Sequence, residues 1–349
     1  VLSIKYFRDT DAPRLTGFGY GGYLVGRVCR IWIPFAIVLL LSAALWQFSA
    51  QHIRGGPNTG TWFSVEHWQA PPTATGVLKQ ANLANINNDF NLIPQAWTLA
   101  IEIVLSALVP AGIVLAGRST IWLLLATAIA CLLGGISPFA LHFAVGIALA
   151  KHFRGIVGWL RTRAGLRVAL AAVAWVLCTW KYLAEGVHPL HAGFVDWYVS
   201  GLGAAILLVV VSASPSLCSW LGRGVFHHIG RTSYSLYLSH LLVIFCISPR
   251  IVVGVIKLHP SIHWLYAWAI GLAGTCVIAA ILAEAVYWSA EVPAIACGRW
   301  LAGHVGRRGV RTGPLSHLMR ESVRQNVVPH TILTVVAWGT TPHAGASKA

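Results

Sequence analysis

Residues 95–116 read QAWTLAIEIVLSALVPAGIVLA, an unbroken apolar run whose one charged side chain is Glu102. About 20 such residues match the hydrocarbon thickness of a bilayer, in which an α-helix satisfies its own backbone hydrogen bonds. Working outward from this run, comparable stretches recur at about 31–50, 119–133, 136–152, 165–183, 196–214, 229–247 and 264–286. Those at 119–133 and 136–152 are the shortest. Composition agrees: 56% of the 349 residues are hydrophobic and only 10% are charged, against about 45–50% and about 25% in soluble domains. Mean hydropathy is +0.69. A chain of this kind cannot cover itself with polar surface, which excludes a soluble enzyme, a secreted disulfide scaffold and a disordered tail. The expected fold is all-α, a polytopic bundle of about eight transmembrane helices.

The formal charge of +15 raises nucleic acid as a partner, and the placement of the basic residues answers it. With the N-terminus inside, 20 of the 25 Lys and Arg residues fall in inner segments, including Arg27, Arg30, Arg118, Lys151, Arg161, Arg223 and Arg231. Arg54, Lys79, Lys181, Arg250 and Lys257 remain outside. This is the asymmetry that orients membrane proteins, so the charge sets topology and no nucleic acid is expected.

Three pieces flank or interrupt the bundle of residues 31–297. Residues 1–30 form a basic, Gly- and Tyr-rich segment expected in the cytoplasm. Residues 51–94 form an outer loop carrying Pro57, Pro71, Pro72, Trp62, Phe63 and Trp68, a length usual for functional or disordered connections. Residues 298–349 form a Gly- and Arg-rich tail, expected to be cytoplasmic and disordered. Of the seven cysteines, Cys29, Cys218 and Cys297 fall on the inner side and the others within spans. With no CxxC pair and none in an outer loop, neither a disulfide framework nor cysteine chemistry is expected. His52 and His67 lack the close spacing of metal ligands, and no metal site is expected.

Chemistry in such a chain comes from ionisable groups placed where hydrocarbon makes them costly. Glu102 falls roughly 10 Å below the outer end of its span, and His240 roughly 15 Å from the inner end of its own, at about 1.5 Å per residue. His142 reads as a packing residue and Glu291, before Pro293, as a helix end or the partner of a nearby Arg. Around His240 the chain reads Gly230-Arg231-Thr232-Ser233-Tyr234-Ser235-Leu236-Tyr237-Leu238-Ser239-His240. Ser233, Tyr237 and His240 recur at i, i+4 and i+7, which sets two hydroxyls and an imidazole on one helical stripe. The alternative for any single hydroxyl is interhelical glue worth about 1 kcal/mol or less.

The run Gly230–His240 resembles the late signature of membrane-bound acyltransferase family 3, Gly-x-x-Ser-Tyr-Ser-x-Tyr-Leu-x-His at the opening of a span. Trp97, Leu99, Glu102 and Pro110 match its mid-chain Trp-Ser-Leu-x-x-Glu with a later Pro, Thr98 replacing the Ser and the intervening aromatics missing. Arg27, Arg30, Ile31 and Pro34 match its Arg-x-x-Arg-Ile-x-Pro with one extra residue before the Pro, and Glu291 and Pro293 match its closing Glu-x-Pro. The four occur in the family's order. The resemblance implies a ten-span bundle that O-acylates bacterial polysaccharides and related glycans. It also implies that Val1-Leu2-Ser3 corresponds to the end of the family's second span. On that alignment the first-span catalytic His has no counterpart, and the chain is expected to bind substrates without turning them over.

Acyl transfer from a thioester to a sugar hydroxyl needs a base, donors for an oxyanion and a dry site. The candidate base is His240, or else the first-span His that has no counterpart here, with Tyr237 and Ser233 as hydroxyl donors and Glu102 as an orienting carboxylate hydrogen-bonded by Thr98. Arg27 and Arg30, beside the inner surface, suit the phosphates of an acyl-coenzyme A, their alternative role being topogenic. Trp97 and Tyr234, inside two signatures, complete the expected substrate-binding set. No resident cofactor is expected. Acyl-coenzyme A is the co-substrate, with acetyl the simplest acyl group. The implied partners are this donor at the inner face, a glycan or lipid-linked glycan acceptor and the lipid bilayer. The implied location is the bacterial inner membrane. The rival class is a polytopic transporter or flippase of a glycan or lipid precursor, but no inverted repeat or pair of broken helices is readable.

Overall fold

Apolar runs with few β-branch clusters and internal backbone bonding give helices throughout. A computed structural model describes residues 19–48, 68, 71–134, 137, 139–183 and 193–309, and contains no strand among them. In chain order the helices are α1 (Tyr20–Leu45), continued by a 3₁₀ turn (Trp46–Phe48), α2 (Ala74–Ala81), α3 (Ala96–Arg118), α4 (Thr120–Leu132) and α5 (Ala140–Arg161). Then follow α6 (Ala164–Cys178), α7 (Trp180–Leu183), α8 (Gly193–Ser212), α9 (Pro215–Leu221) and α10 (Gly224–Cys246). The last are α11 (Ser248–Leu258), α12 (Trp264–Val286), a π turn (Tyr287–Glu291) and α13 (Val292–Gly309).

Among the described residues six helical segments are long and apolar enough to cross a membrane, and α4 and α6 are two shorter apolar helices. These coincide with the eight runs read from the sequence, and the all-α polytopic class stands. The boundaries differ. α1 begins at Tyr20, so Arg27 and Arg30 lie inside a helix and not in a separate basic segment. α13 continues to Gly309, so residues 298–309 are helical and not part of a disordered tail. The outer loop contains α2, whose N-terminus is capped by Thr73 accepting from the Gly76 N–H at 3.1 Å. Residues 1–18, 49–67 and 310–349, which include His52, Trp62 and His67, lie outside the described residues.

The chain divides into two compact units. One is Leu108–Arg231, and the other comprises the described parts of Phe18–Ala107 and Thr232–Ser316. In the first, Val109, Ile113, Leu123, Ala144 and Ile147 make one apolar cluster and Leu160, Val209, Val210 and Ala213 another. Glycines permit close approach. A Cβ on Gly112 would lie 2.7 Å from Ile147 Cδ1, and one on Gly201 would collide with the His142 ring. Basic side chains close the carbonyl ends of helices. Lys151 Nζ donates to the Ala116 carbonyl at 2.8 Å, and Arg163 donates to the Trp159 carbonyl at 2.6 Å.

In the second unit the core gathers Phe35, Val38 and Leu39 of α1, Leu99 of α3, Leu238, Leu241 and Phe245 of α10 and Ala290 of the π turn. Trp68 is buried in it, edge-on to Phe245 at 5.8 Å with Nε1 donating to the Leu92 carbonyl at 3.0 Å. Gln80 of α2 accepts from the Leu92 N–H at 2.9 Å, and Trp32 of α1 donates to the Ala81 carbonyl at 2.8 Å. The segment after the undescribed part of the loop is thereby tied down to α1 and α10.

α1 and α13 approach closely because small residues face each other. A Cβ on Gly22 would lie 3.4 Å from the Ala302 carbonyl, and one on Gly298 would lie 3.3 Å from Gly26 Cα. This is the small-residue packing by which helices associate in lipid. Pro293 explains the π turn that precedes α13. A proline inside an α-helix clashes with the carbonyl four residues back and donates no hydrogen bond, and widening the preceding turn relieves both faults. The helix therefore continues past Glu291, which corrects the reading of Glu291 as a helix end.

Candidate active site

The polar groups of the second unit fall into two layers, both built on α1. In the first, Tyr20, Tyr23 and Arg27, spaced i, i+3, i+7, share one stripe facing α3. Tyr20 donates to the Ala107 carbonyl at 3.2 Å and Tyr23 to the Ser106 carbonyl at 2.9 Å. Arg27 Nη2 donates to Glu102 Oε1 at 2.6 Å and to Ser106 Oγ at 3.0 Å. The Arg27 side chain is 13% exposed and that of Glu102 37%. Arg27 Nε is buried with no partner among the described residues. An ion pair inside a span offsets the cost of desolvating both charges, and its hydrogen bond to Ser106 adds to that compensation.

The second layer joins α10 to α1, α3 and the π turn. Tyr234 donates to the Ile31 carbonyl at 2.8 Å, next to the Arg30 carbonyl that Pro34 deprives of its helical donor. Ser235 Oγ donates to Glu291 Oε2 at 2.7 Å. Glu291 is only 2% exposed, and the charge of Arg30 acts on it and on Tyr234. Among the described residues Arg30 makes no hydrogen bond.

Tyr237 Oη, Thr98 Oγ1 and the Gln95 carbonyl form a triangle of oxygens. Tyr237 reaches Gln95 at 2.9 Å, Thr98 reaches it at 3.0 Å, and the two hydroxyls contact each other. Two hydroxyl hydrogens thus serve three contacts. Gln95 Nε2 in turn donates to the carbonyls of Tyr237 and Leu238 at 3.1 and 3.0 Å. His240 Nδ1 lies 2.8 Å from the Tyr237 carbonyl. Since a carbonyl only accepts, Nδ1 carries the proton, and in the neutral ring Nε2 is left as the basic nitrogen. The Tyr237 and His240 rings are 6.0 Å apart.

Of the expected site residues, the structure brings Arg27 to Glu102, and Tyr237 to Thr98 with His240 beside it. Three expectations are corrected. Thr98 bonds Gln95 and Tyr237 instead of Glu102, because the carboxylate is taken by Arg27. Glu102 orients Arg27 instead of His240, although its charge also acts on Tyr234 and Tyr237. Ser233 is exposed, whereas Thr232, Ser235 and Ser239 are the buried hydroxyls of α10. The stripe read from spacing is therefore turned by part of a helical step. Trp97 is 40% exposed and faces outward from the core.

Sequence reading missed Gln95, Ser106 and Ser235, the last as the hydrogen-bond partner of Glu291; the expectation that a nearby Arg acts on Glu291 agrees with the effect of Arg30. Ser106 stands four residues after Glu102, and Ser235 and Ser239 are themselves four apart, so the helical period was the available signal. In the first unit, His142 Nε2 donates to the Trp197 carbonyl at 3.0 Å between the Phe139 and Tyr198 rings, in keeping with a packing role. No group of three metal-ligating side chains occurs among the described residues.

Fold and site together define a multi-pass helical membrane protein with a partly buried arginine–carboxylate pair beside a hydroxyl- and imidazole-bearing helix. A family model described as an acyltransferase domain matches residues 6–284, most of the chain. The protein belongs to acyltransferase family 3. No curated protein and no solved structure matches it.

Proposed function

We propose that this acyltransferase moves an acyl group, most simply acetyl, from acyl-coenzyme A at the cytoplasmic face to a hydroxyl of a cell-surface glycan or glycolipid, within a bacterial inner membrane. The observation that carries the reading is the 2.8 Å approach of His240 Nδ1 to the Tyr237 carbonyl. With Nδ1–H committed to the Tyr237 carbonyl, Nε2 is the nitrogen able to take a proton. In this reading His240 is itself the base, so turnover is expected where the resemblance alone implied binding without turnover: Nε2 accepts the proton of the acceptor hydroxyl as its oxygen bonds to the thioester carbonyl carbon. Tyr237 turns its hydroxyl hydrogen from the Gln95 carbonyl, which Thr98 continues to bond, toward the developing oxyanion. The carbon–sulfur bond then breaks, and the leaving thiolate takes the proton from His240.

Arg30, which makes no hydrogen bond among the described residues, is the guanidinium suited to a donor phosphate, while Arg27 is held by Glu102. Membranes containing the protein, given radiolabelled acetyl-coenzyme A and isolated envelope glycan, should place label in the glycan, and His240→Ala should abolish it. Label appearing only as free acetate, or equal labelling by the variant, would remove this assignment.

A further inference from the structure

The close packing of α1 on α13 has a chemical consequence beyond acyl transfer. A Cβ on Gly298 would lie 3.1 Å from the Cβ of Cys29, and the side chain of the neighbouring residue Cys297 acts on the Cys29 thiol. Both cysteines are free and half-buried. The other thiols with described partners are engaged differently: Cys131 donates to the Ser137 carbonyl and Cys218 to the Val211 carbonyl. Spacing in the sequence could not reveal this pair, since it lies at opposite ends of the chain.

We propose that Cys29 and Cys297 form an oxidation site, closing to an intramolecular disulfide that staples α1 to α13. With a peroxide as oxidant, one thiolate attacks the O–O bond, giving a sulfenic acid and water. The second thiolate attacks that sulfur and expels hydroxide, which leaves as a second water. Two thiols are oxidised by two electrons and the peroxide is reduced. Because glycines let α1 and α13 approach closely at Cys29, the neighbouring Cys297 lies on the part of α13 nearest to it, where a disulfide can close by side-chain rotation. In a reducing compartment the pair remains as thiols, and a two-electron oxidant converts it. Cys29 lies between Arg27 and Arg30, so the bond would fix the part of α1 that carries both guanidinium groups.

The test uses the full chain in native membranes, treated with diamide, blocked, denatured and labelled with a polyethylene-glycol maleimide. The reduced protein has seven reactive cysteines. Oxidation should remove two adducts, dithiothreitol should restore both, and trypsin should release Val28–Arg30 disulfide-linked to the peptide that ends at Arg299. Cys29→Ser and Cys297→Ser should each lose no further adduct on oxidation. Seven adducts after oxidation would overturn the proposal. So would a linked peptide that persists in Cys297→Ser, since that would assign the bond to Cys276 of the same tryptic peptide.

Discussion

The Arg27 guanidinium and the Glu102 carboxylate, 75 positions apart in the chain, meet at 2.6 Å and join α1 to α3. Neither side chain would be tolerated alone at this depth of a helix, and together with Ser106 they make a self-compensating set. The same helix carries Arg30 one turn further on, where its charge acts on the buried Glu291. α1 therefore presents one guanidinium held through Nη2 by Glu102 and Ser106 and one whose side chain is not hydrogen-bonded among the described residues.

Arg27→Ala should lower stability by about 1–3 kcal/mol, less than for a fully buried pair because Glu102 is more than one-third exposed. The double variant Arg27→Ala/Glu102→Ala should lose less than the sum of the single losses, by about 0.5–3 kcal/mol. Thermal unfolding in detergent measures all three, and strictly additive losses would deny the coupling.

Replacing His240 tests the base separately from the fold. His240→Ala and His240→Asn should both reduce turnover by about two to four orders of magnitude. The melting temperature should change little, because the Nδ1 bond is made within α10. Asparagine supplies an amide donor near the Nδ1 position but no base, so a fully active His240→Asn would show that the imidazole only props the helix.

For Glu291 the informative comparison is between isosteric and apolar replacements. Glu291→Gln retains an acceptor for Ser235 and should cost little, whereas Glu291→Leu leaves the buried Ser235 hydroxyl unpaired at a cost of about 1–3 kcal/mol. Equal stability of the two variants in a detergent melt would mean that the Ser235 bond contributes nothing.

Gly298→Val should separate α1 from α13. Even the first added carbon would press on Cys29 Cβ and on the Gly26 backbone, which cannot rotate away. Overpacking of this kind costs about 1–3 kcal/mol. It should also abolish diamide closure of Cys29 with Cys297, and retained closure would argue against the close approach.

Topology is expected to follow the basic residues, with both termini cytoplasmic and residues 51–94 outside. Reporter fusions after Gly60 and after Arg307 should give opposite signals. The same signal from both would require an odd change in the number of crossings between them.

The apolar runs located all six long apolar helical segments among the described residues, because hydrocarbon enforces a minimum length of unbroken apolar helix whatever its neighbours do. The four short motifs carried the family in the same local way. Hydropathy blurs helix ends, however. Tyr20–Arg30 and Gly298–Gly309 are too polar or too Gly-rich to register as span, yet backbone bonding carries α1 and α13 through them.

The sequence by itself determined that the chain is a multi-pass helical membrane protein and that Glu102, Tyr237 and His240 are costly enough in lipid to require partners. Which partners they take was decided by tertiary structure alone. Helical spacing fixes which residues share a stripe but not which stripe faces the core, and that rotation buried Ser235 while leaving Ser233 exposed. Likewise Arg27 with Glu102, Ser235 with Glu291 and Cys29 with Cys297 depend on the rotation and depth of two helices at once. Those quantities are set by packing of small residues such as Gly22, Gly26 and Gly298 against a neighbour, which no local window of sequence contains.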